Sequence, residues 1–498
     1  MRRLSAGAGV LLAALALVGC QGLPRAEPVS TPTDTARLFE DLKASPAVLQ
    51  AFLRAMPKGG DLHNHLSGAI YVENYLQWAI EDGLCVDRER LVLLDCPPAG
   101  ANPDDAGDAV APVADAVRDR GFYGRLVDAL STRNYRLYGR SGHDQFFSTF
   151  AAFGAATRGR SGEMLAEAMR RAGAQNLLYL ELMVSPGMGA AAGLAADLDW
   201  DDDLGRLRTR LDDASLDAIA AAVRSGLTEV EGEARAALGC GTPAPDPGCG
   251  VTVRLLAQAI RTLPAPQVFA QLVLGFRLAE ADDRIVGINL VAPEDDPVAL
   301  RDYTRHMRAV AFASREAPNA GIALHAGELT LGLVPPEALR FHIREAVEIA
   351  GAHRIGHGTD VLYEDDPRGL LDLLARRDVL VEINLTSSDV ILGVTGDAHP
   401  FPVYRAAGVA TALSTDDEGV SRIDLTHEYL RAVLTYDLSW ADVVELSRNS
   451  LRYAFLAEAD KTALLGELDR RLAIFEREAG AFQDLVPPGS VPARRASK

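Results

Sequence analysis

The chain has 498 residues, of which 48% are hydrophobic, and carries a formal net charge of −19 from 69 acidic and 50 basic residues. This length permits either two ordinary domains or one α/β barrel with insertions. Because the net charge would repel a phosphate backbone, nucleic acid is not an expected partner, and the acidic surface is most simply a solubility feature.

The first twenty residues, MRRLSAGAGVLLAALALVGC, are typical of a bacterial lipoprotein signal peptide. Arg2 and Arg3 precede an apolar stretch that is too short for an ordinary membrane span. The ending LVGC resembles the lipobox, in which the cysteine, here Cys20, is acylated, and Gln21 after it favours the outer membrane. We therefore expect an exported lipoprotein of the cell envelope that contacts the membrane only through its lipid. An uncleaved anchor or a plain secretory signal is the alternative.

The composition also divides the rest of the chain. Residues 21–37 are rich in Pro, Thr and charge and lack an apolar period, which predicts a flexible tether. An ordered barrel is expected over residues 38–485, followed by a disordered tail over residues 486–498. Three stretches rich in Ala, Gly, Asp and Pro are predicted to be surface excursions without core composition. They lie near residues 96–116, 186–214 and 238–250.

Four cysteines remain after the predicted lipid site. This is an even number in a compartment that permits disulfides. Because short loops close at the lowest entropic cost, proximity favours pairing Cys85 with Cys96 and Cys240 with Cys249. Free structural thiols are the alternative.

Eight short apolar runs alternate with longer helical patterns, which is typical of βα units and a parallel sheet. Between two of these runs, PEALRFHIREAVEIAG over residues 336–351 has a helical apolar period. The pattern predicts an α/β fold, a TIM-type (β/α)8 barrel with insertions, whose active-site residues gather at the carboxyl ends of the strands. In chain order the runs are GGDLHNHL, LLYLELMV, VTVRLLAQA, RIVGINLV, GIALHAGE, HRIGHG, VLVEINLT and VATALSTDD.

Polar side chains stand at the carboxyl ends of several of these runs. The spacing of His63 and His65 points both rings to the same face of the first strand. Three neutral imidazoles and one carboxylate suit Zn²⁺ and leave room for a water. Each residue alone is a weak signal, but their common position at strand ends predicts one metal site. The candidates are His63, His65, His325, Glu328, His357, Asp416 and Asp417.

These motifs resemble those of the adenosine deaminase family, a mononuclear branch of the amidohydrolase superfamily. MPKGGDLHNHLSGA, LHAGE, RIGHG and HPFPVYRAAGVATALSTDD follow the family's order, and LTHEYL and LSRNSLRYAFL are similar to its later stretches. The resemblance covers about Met56 to Phe455, and the extra length and predicted export are closest to the secreted, growth-factor-like members. It implies hydrolytic deamination of adenosine or 2′-deoxyadenosine to the 6-oxo purine and ammonia, used in purine salvage.

The resemblance implies that one Zn²⁺ per chain lowers the pKa of a bound water. A second metal usually needs a bridging lysine or carboxylate at the end of the fourth strand, where GINLVAPE offers no lysine and only a displaced Glu294. One metal is therefore expected. By the resemblance, its ligands would be His63, His65, His325 and Asp416.

The resemblance also implies three roles in proton transfer and binding. His357 would accept the proton of the water, and Glu328 would donate a proton to ring N1. Ring N7 has only a lone pair, so Asp417 could hydrogen-bond it only as a neutral carboxyl, for which its pKa must be raised.

Two departures from the family leave the preferred sugar and base open. Ser67 stands where the family commonly has an acidic residue that holds the ribose, and Ala292 stands where it has a glycine whose N–H approaches ring N3. Deamination of adenine or of an N6-substituted nucleoside is therefore an alternative, whereas AMP is disfavoured because no cationic cluster accompanies the motifs. A catalytically silent nucleoside-binding lipoprotein is the alternative of another class. The sequence does not fix the oligomeric state. The other six histidines, His342 among them, are expected to be surface or core residues.

Overall fold

The computed structural model describes residues 32–97 and 109–486 of the chain. The predicted signal peptide with Cys20, the tether up to residue 31 and the tail from residue 487 lie outside these described residues. Within the described residues, no helix combines the length and the apolar character needed to cross a bilayer. The strands are β1 (Lys58–His65), β2 (Cys85–Asp87), β3 (Val92–Leu94), β4 (Val110–Pro112), β5 (Leu177–Val184), β6 (Thr252–Ile260), β7 (Ile285–Val291), β8 (Gly321–Ala326), β9 (Arg354–His357), β10 (Leu380–Ile383) and β11 (Thr411–Leu413).

Eight of these strands form one parallel sheet in the order β1-β5-β6-β7-β8-β9-β10-β11. The sheet curls back on itself, because Asn64 in β1 forms a parallel bridge with Asp416 just after β11. There the N–H of His65 donates to the carbonyl of Asp416, and the N–H of Asp416 donates to the carbonyl of His63, each at 2.9 Å. The eight predicted strands and the TIM-type barrel are therefore confirmed.

The strands are buried on both faces, as the nearly continuous apolar runs require. Every residue of β8, β9 and β10 is buried. Helices cover the outside; for example, the helix Ala265–Ala281 packs on β6 and β7. The α-helices are Pro32–Leu42, Pro46–Ala55, Val72–Glu81, Val113–Ala116, Arg120–Ala129, Gly142–Phe153, Ser161–Ala174, Met188–Leu194, Leu204–Thr209, Asp213–Ala237, Ala265–Ala281, Pro297–Ala313, His342–Glu348, Pro367–Arg376, Leu385–Leu392, Phe401–Ala406, Glu418–Ser421, Leu425–Tyr436, Trp440–Arg452 and Glu458–Glu478. Short 3₁₀ segments are Tyr135–Tyr138, Gly154–Thr157, Pro247–Gly250, Ser314–Glu316, Pro336–Leu339, Val361–Tyr363, Gly396–Ala398 and Ala479–Leu485.

The connection from β1 to β5 contains a small antiparallel sheet in the order β3-β2-β4. The structure joins Cys85, at the start of β2, to Cys96, two residues after β3. It also joins Cys240 to Cys249, just before β6. Both are the pairs that sequence proximity favours.

The predicted end of the tether at residue 37 is wrong, because an ordered helix begins at Pro32. Its apolar face is anchored: Phe39 is fully buried, with its ring centroid 5.7 Å from that of Phe52 and 5.6 Å from that of Trp440. The Thr35 hydroxyl donates to the carbonyl of Glu476 at 3.1 Å. The sequence predicts a tether here because the segment contains proline, but a helix tolerates proline in its first turn.

The described parts of the three predicted excursions also contribute to the core, contrary to expectation, and residues 98–108 of the first one lie outside the described residues. Val113, Met188 and Leu207 are all buried. A Cβ on Gly248 would lie 2.7 Å from the backbone of Met169, so glycine allows that loop to pack closely on a helix. Small residues let the backbones of neighbouring segments approach closely and so form part of the core. The amino-acid composition of these stretches does not reveal such packing.

The predicted helix over residues 336–351 is divided into two pieces. A 3₁₀ turn spans Pro336–Leu339, and a separate helix spans His342–Glu348. The Glu364 carboxylate accepts from the N–H of Ile343 at 2.5 Å and from that of Arg344 at 3.2 Å, so a side chain from the next loop satisfies the first turn of the second helix.

Candidate active site

Three histidines and one aspartate meet at the carboxyl ends of the barrel strands. His63 and His65 come from β1, His325 comes from β8, and Asp416 lies just after β11. The Nε2 atom of His325 is 3.0 Å from that of His63 and 3.2 Å from that of His65. Asp416 Oδ1 lies 3.2 Å and 3.3 Å from the same two atoms of His63 and His65. The predicted ligand atoms thus converge on one point, although they come from three distant segments.

The other ring nitrogen of each histidine faces a side-chain oxygen. Oxygens accept hydrogen bonds, so each Nδ1 carries a proton and each Nε2 is the ring atom that points into the cluster. Such partners are the usual support of metal-bound histidines, because they fix the tautomer and the ring orientation. The Nδ1 to oxygen pairs are His63 to Glu382 at 2.6 Å, His65 to Gln258 at 2.9 Å and His325 to Asn289 at 2.8 Å.

This donor set fits a metal ion. The lone pairs of nitrogen atoms 3.0 Å apart repel one another unless a proton or a metal ion lies between them. Donors at about 2.0–2.1 Å from a tetrahedral zinc ion are about 3.3 Å apart, close to the distances seen here. Burial lowers the pKa of His325 well below its usual value, and the neighbouring imidazoles lower it further, which keeps this ring neutral and able to bind a metal.

The cluster also favours positive charge. Burial alone would lower the pKa of His63, but hydrogen bonds with Asp416 and Glu382 outweigh burial and raise this pKa to about 10. A carboxylate environment that holds a proton so strongly would also stabilise a metal cation in its place.

Two groups suited to proton transfer face the cluster. Burial raises the pKa of Glu328 well above its usual value, and the negative charges of Asp416 and Glu294 raise it further, so its carboxyl is neutral and can donate. Burial lowers the pKa of His357 to about 3, so its imidazole is neutral and can accept. Among the described residues, Glu328 Oε1 and His357 Nε2 have no hydrogen-bond partner, although both atoms are buried.

Asp417 adds a third unpartnered group. Burial and the adjacent charge of Asp416 raise the pKa of its carboxyl well above the usual range. Its buried Oδ1 atom has no hydrogen-bond partner in the described part of the chain. A Cβ on Gly68 would lie 1.4 Å from this oxygen, so glycine in the LSGA stretch makes room for the carboxyl.

Left-handed backbone conformations occur at three strand ends around the site. The φ angles are 80° at Ala292, 67° at His357 and 62° at Asp416. Such conformations cost about 1–3 kcal/mol each in residues other than glycine and tend to persist where function requires them. Ala292 occupies the place where the resemblance expects glycine, and it adopts a conformation that glycine reaches without strain.

Ser67 lies two residues after β1, beside the cluster and half-buried. Its carbonyl accepts from the hydroxyl of Tyr75 at 2.6 Å, which fixes the backbone of this turn. Arg261 donates to the carbonyl of Ala292 at 3.0 Å and fixes the turn after β7 in the same way.

Glu294 is not a metal ligand but holds the loop that carries Glu328. Its carboxylate accepts from the N–H of Gly327 at 3.1 Å, from the N–H of Glu328 at 2.9 Å and from Nδ1 of His342 at 2.6 Å. Burial would raise the pKa of Glu294, but the bond from His342 and the charge of Arg261 lower it to about 2. His342 therefore belongs to this support, although its sequence context does not distinguish it from other core residues.

Sequence reasoning missed the three oxygen partners of the metal-site histidines. Gln258, Asn289 and Glu382 each stand in an otherwise apolar run, in AQA, INL and VEI respectively. A lone polar residue at the inward register of a barrel strand is the signal that could have found them.

Comparison with known proteins agrees with this geometry. The family model for adenosine deaminase matches residues 155–471. An adenosine deaminase of Mycolicibacterium vanbaalenii is 27% identical over 304 residues, which are 59% of this chain and 71% of that protein. An adenosine deaminase of Mycobacterium marinum is 30% identical over 230 residues, or 44% of this chain and 59% of that protein. The matched segment is thus less than two thirds of the second relative.

Solved structures share the fold at low identity. An N6-mAMP deaminase of Arabidopsis is 21% identical, with a TM-score of 0.55 over 84% of this chain and 99% of that chain. An adenine deaminase of Arthrobacter aurescens is 18% identical, with a TM-score of 0.53 over 83% and 98%. An amidohydrolase from Burkhoderia ambifaria, with bound Zn, is 17% identical, with a TM-score of 0.52 over 88% and 95%. These likenesses concern the barrel, while the family match covers most of the chain. The chain belongs to the adenosine deaminase family and is a hydrolase that acts on an aminopurine C–N bond.

Proposed function

We propose that the protein catalyses zinc-dependent hydrolytic deamination of a purine nucleoside, converting adenosine or 2′-deoxyadenosine and water to the 6-oxo purine nucleoside and ammonia. The observation that carries this proposal is the position of Glu328, His357 and Asp417. Each presents a buried polar atom that has no hydrogen-bond partner among the described residues, beside a set of four residues that could hold a metal. Buried polar groups are usually hydrogen-bonded, so three such atoms around one set of ligand atoms support a site that a substrate completes.

The metal would be held by the three histidines and Asp416. Bound zinc supplies Lewis acidity that makes a water nucleophilic near neutral pH. The oxygen partners of the histidines keep the rings oriented before any ion arrives, so the protein contributes a prepared site. His63, buried between Glu382 and Asp416, is the most tightly fixed of the ligands.

The protons would be handled by the neighbouring side chains. His357 is neutral and has a free ring nitrogen, so it can take a proton from the attacking water. Glu328 is neutral and can donate its proton to ring N1, which makes the ring more electrophilic. Asp417 as a neutral acid can donate a hydrogen bond to ring N7, which has only a lone pair.

The proposal also concerns the group attached to the aminopurine ring of the substrate. Ser67 can hydrogen-bond a ribose hydroxyl, but more weakly than a carboxylate would. Deamination of adenine or of an N6-substituted substrate is the second candidate. The uncharged Ser67 favours it, and the fold neighbours include an adenine deaminase and an N6-mAMP deaminase.

The test is a substrate panel on zinc-loaded protein comprising residues 21–498. Ammonia release is measured with adenosine, 2′-deoxyadenosine, adenine, N6-methyladenosine and AMP, and bound metal is measured by inductively coupled plasma mass spectrometry. We expect about one zinc per chain, release of ammonia from the two nucleosides, and loss of activity on chelation with recovery on adding zinc.

Two outcomes would change the assignment. If adenine is converted faster than adenosine, the second candidate is correct. If the protein holds zinc and converts no member of the panel, it is a binding protein and the proposal fails.

We also propose that the protein is a lipoprotein of the cell envelope. The support is the sequence ending at Cys20 and the disulfides at Cys85–Cys96 and Cys240–Cys249, which suit an oxidising compartment. Full-length protein expressed in a bacterium should incorporate an alkyne-labelled fatty acid, and Cys20→Ala should not. Equal labelling of the two proteins would reject the lipid anchor.

A further inference from the structure

A large cavity runs along β6 and reaches Gln258, the residue that bonds Nδ1 of His65. Its volume is about 800 Å³. The helix Ser161–Ala174, the helix Asp213–Ala237 and β6 supply most of its walls. The lining runs along β6 from Thr252 to Gln258, a rise of about 20 Å at 3.3 Å per residue. Its apolar walls include Met164, Leu165, Met169, Val223, Leu227, Val230, Val253 and Leu255.

This space is too large to be an ordinary packing defect. Protein interiors are packed about as densely as organic crystals, and voids larger than a water molecule are few. Leu227 and Val230 remain half-buried along the cavity although their helix has 25 residues and lies against the helix Ser161–Ala174. The volume falls in the range of small-molecule sites, which are concave and mostly apolar.

Gly226 leaves open space at the cavity wall. It lies in the middle of the helix Asp213–Ala237 and lines the cavity. Glycine there destabilises the helix by about 1 kcal/mol relative to alanine. A Cβ at this position would meet no atom within 4 Å, so packing does not require glycine.

The cavity carries positive charge at one end. Arg254 lies near the start of β6, next to Arg284, whose carbonyl accepts from the N–H of Leu255 at 2.8 Å. Arg235 reaches the same cavity from the helix Asp213–Ala237. Arg284 pairs with Asp282 at 2.6 Å, but neither Arg235 nor Arg254 forms an ion pair with any residue in 32–97 or 109–486.

Arg254 donates to the carbonyl of Val253 at 2.9 Å, but the absence of an ion pair at both arginines among the described residues stands out in a chain with a net charge of −19. The acid that lines the cavity is Glu231, which lies 3.8 Å from Arg284 and one helical turn before Arg235 on the same helix. The three arginines exceed the two neighbouring acids, Glu231 and Asp282, by one positive charge, which favours an anion at this end. A guanidinium prefers a planar oxyanion such as a carboxylate, which it can bind through two hydrogen bonds.

We propose that this cavity binds a long-chain carboxylate, with its alkyl chain along the apolar walls and its carboxylate at Arg254 and Arg235. The methionines suit an alkyl chain, because their side chains are flexible and polarisable and adapt to irregular shapes. The carboxylate end lies beside the start of β6, whereas Gln258 and Ser67 line the other end near His65. The cavity therefore adjoins the predicted aminopurine site at one end, while its arginines lie at the opposite end of β6.

The test is isothermal titration calorimetry with dodecanoate, below its micellar concentration, on the zinc-loaded protein with its disulfides intact. We expect one dodecanoate per chain. Acetate, which lacks the chain, and dodecylammonium, which has the opposite charge, should each bind at least tenfold more weakly. Absence of dodecanoate binding, or equal binding of dodecylammonium, would overturn the proposal.

Variants locate the binding. Gly226→Phe should fill the cavity and weaken dodecanoate binding at least tenfold, whereas Gly232→Phe, on the same helix but exposed and outside the cavity lining, should not. Arg235→Gln changes an exposed side chain, so it should fold normally and weaken binding several-fold. Unchanged affinity in both Gly226→Phe and Arg235→Gln would reject this site. Thermal unfolding of each variant checks that it is folded.

A competition experiment separates this site from the substrate site. Saturating 2′-deoxyinosine should leave dodecanoate binding intact. If the nucleoside displaces dodecanoate, the cavity is part of the substrate site and the proposal is wrong, whereas the proposed deaminase activity would still stand. Conversely, if the substrate panel shows no deaminase activity, dodecanoate should still bind.

Discussion

The barrel encloses two buried polar clusters that differ in how completely they are satisfied. At the amino-terminal ends of the strands, Arg354 pairs with both Glu181 and Glu382 and also donates to the carbonyl of Tyr453 at 3.0 Å. Glu181 in turn accepts from the N–H of Phe455 at 2.7 Å. This lower cluster has a partner for each charge, which is how a buried ionic network stays folded.

The upper cluster, at the carboxyl ends, leaves polar atoms unpaired. Glu328, His357 and Asp417 each have a buried atom without a partner among the described residues. Unpaired buried groups cost about 1–3 kcal/mol each, so they indicate that a ligand completes the site. Glu382 joins the two clusters, because one of its oxygens accepts from Arg354 and the other from His63, both at 2.6 Å. The comparison separates a cluster that holds the barrel from one whose unpaired groups suit the proposed reaction.

The sharpest test of this comparison is Glu328→Gln. The amide cannot donate a proton, so we expect kcat for adenosine to fall by about 10²–10⁴-fold. Zinc content should stay near one per chain, and the free energy of unfolding should fall little, because Glu328 Oε1 has no hydrogen-bond partner among the described residues and lies 3.5 Å from His357 Nδ1. Steady-state kinetics, metal analysis and chemical denaturation measure the three quantities.

Glu337→Gln is the matched control, since this exposed glutamate lies on the same loop after β8. Its activity and stability should equal those of the wild type. A Glu328→Gln protein that keeps its kcat would show that Glu328 is not the proton donor, and one that loses its zinc would show that this carboxyl supports the metal.

The opposite outcome is expected from Arg354→Met. Removing the guanidinium leaves Glu181 and Glu382 as buried charges without a cation, and breaking such a network costs about 3–5 kcal/mol. Urea denaturation should show this loss in the free energy of unfolding. Arg158→Met is the control, because the side chains of Arg158 and its partner Asp95 are 59% and 70% exposed, and surface pairs contribute about 1 kcal/mol or less. Equal stability of Arg354→Met and wild type would contradict a structural role for the lower cluster.

Much of the upper cluster could be predicted because its residues stand at strand ends, where the sequence pattern changes from apolar to polar. His63, His65, His325 and Asp416 share this position, and the barrel brings such positions together whatever their distance in the chain. Supports such as Gln258 were missed because they lie within apolar runs. Their role depends on which side chains face them inside the barrel, and the register between neighbouring strands determines this.

The outer region was predicted less well for a different reason. Gly248 packs on Met169 through the absence of a side chain, and a composition rich in alanine and glycine looks the same in a loop and in a tight interface. The helix that begins at Pro32 was missed because the apolar residues that bury it, Leu38 and Phe39, come after the stretch that looks like tether.

Glu382→Gln tests the residue that joins the two clusters. The amide can still accept from His63 but carries no charge, so His63 becomes a weaker ligand and Arg354 loses one of its two ion pairs. Loss of such a support typically lowers metal affinity by about 10–100-fold. Competition with a chromophoric chelator measures the zinc affinity. Glu348→Gln, an exposed change, should leave it unchanged, and an unaltered affinity in Glu382→Gln would mean that the two clusters are independent.

The smallest of these effects is expected from Glu294→Gln. Both oxygens of Glu294 accept backbone N–H groups, at Gly327 and Glu328, and a glutamine would turn its own NH₂ group toward one of these donors. The loop would shift, and the carboxyl of Glu328 would be less well placed for proton transfer, so we expect kcat to fall by about tenfold. KM should change less, because Glu294 does not reach the site itself, and zinc content should be unaltered.

His342→Phe removes the bond that orients Glu294 and should also lower kcat. A different outcome is that Glu294→Gln binds less zinc but has the wild-type kcat once it is fully loaded with zinc. Glu294 would then support the metal site rather than the loop that carries Glu328.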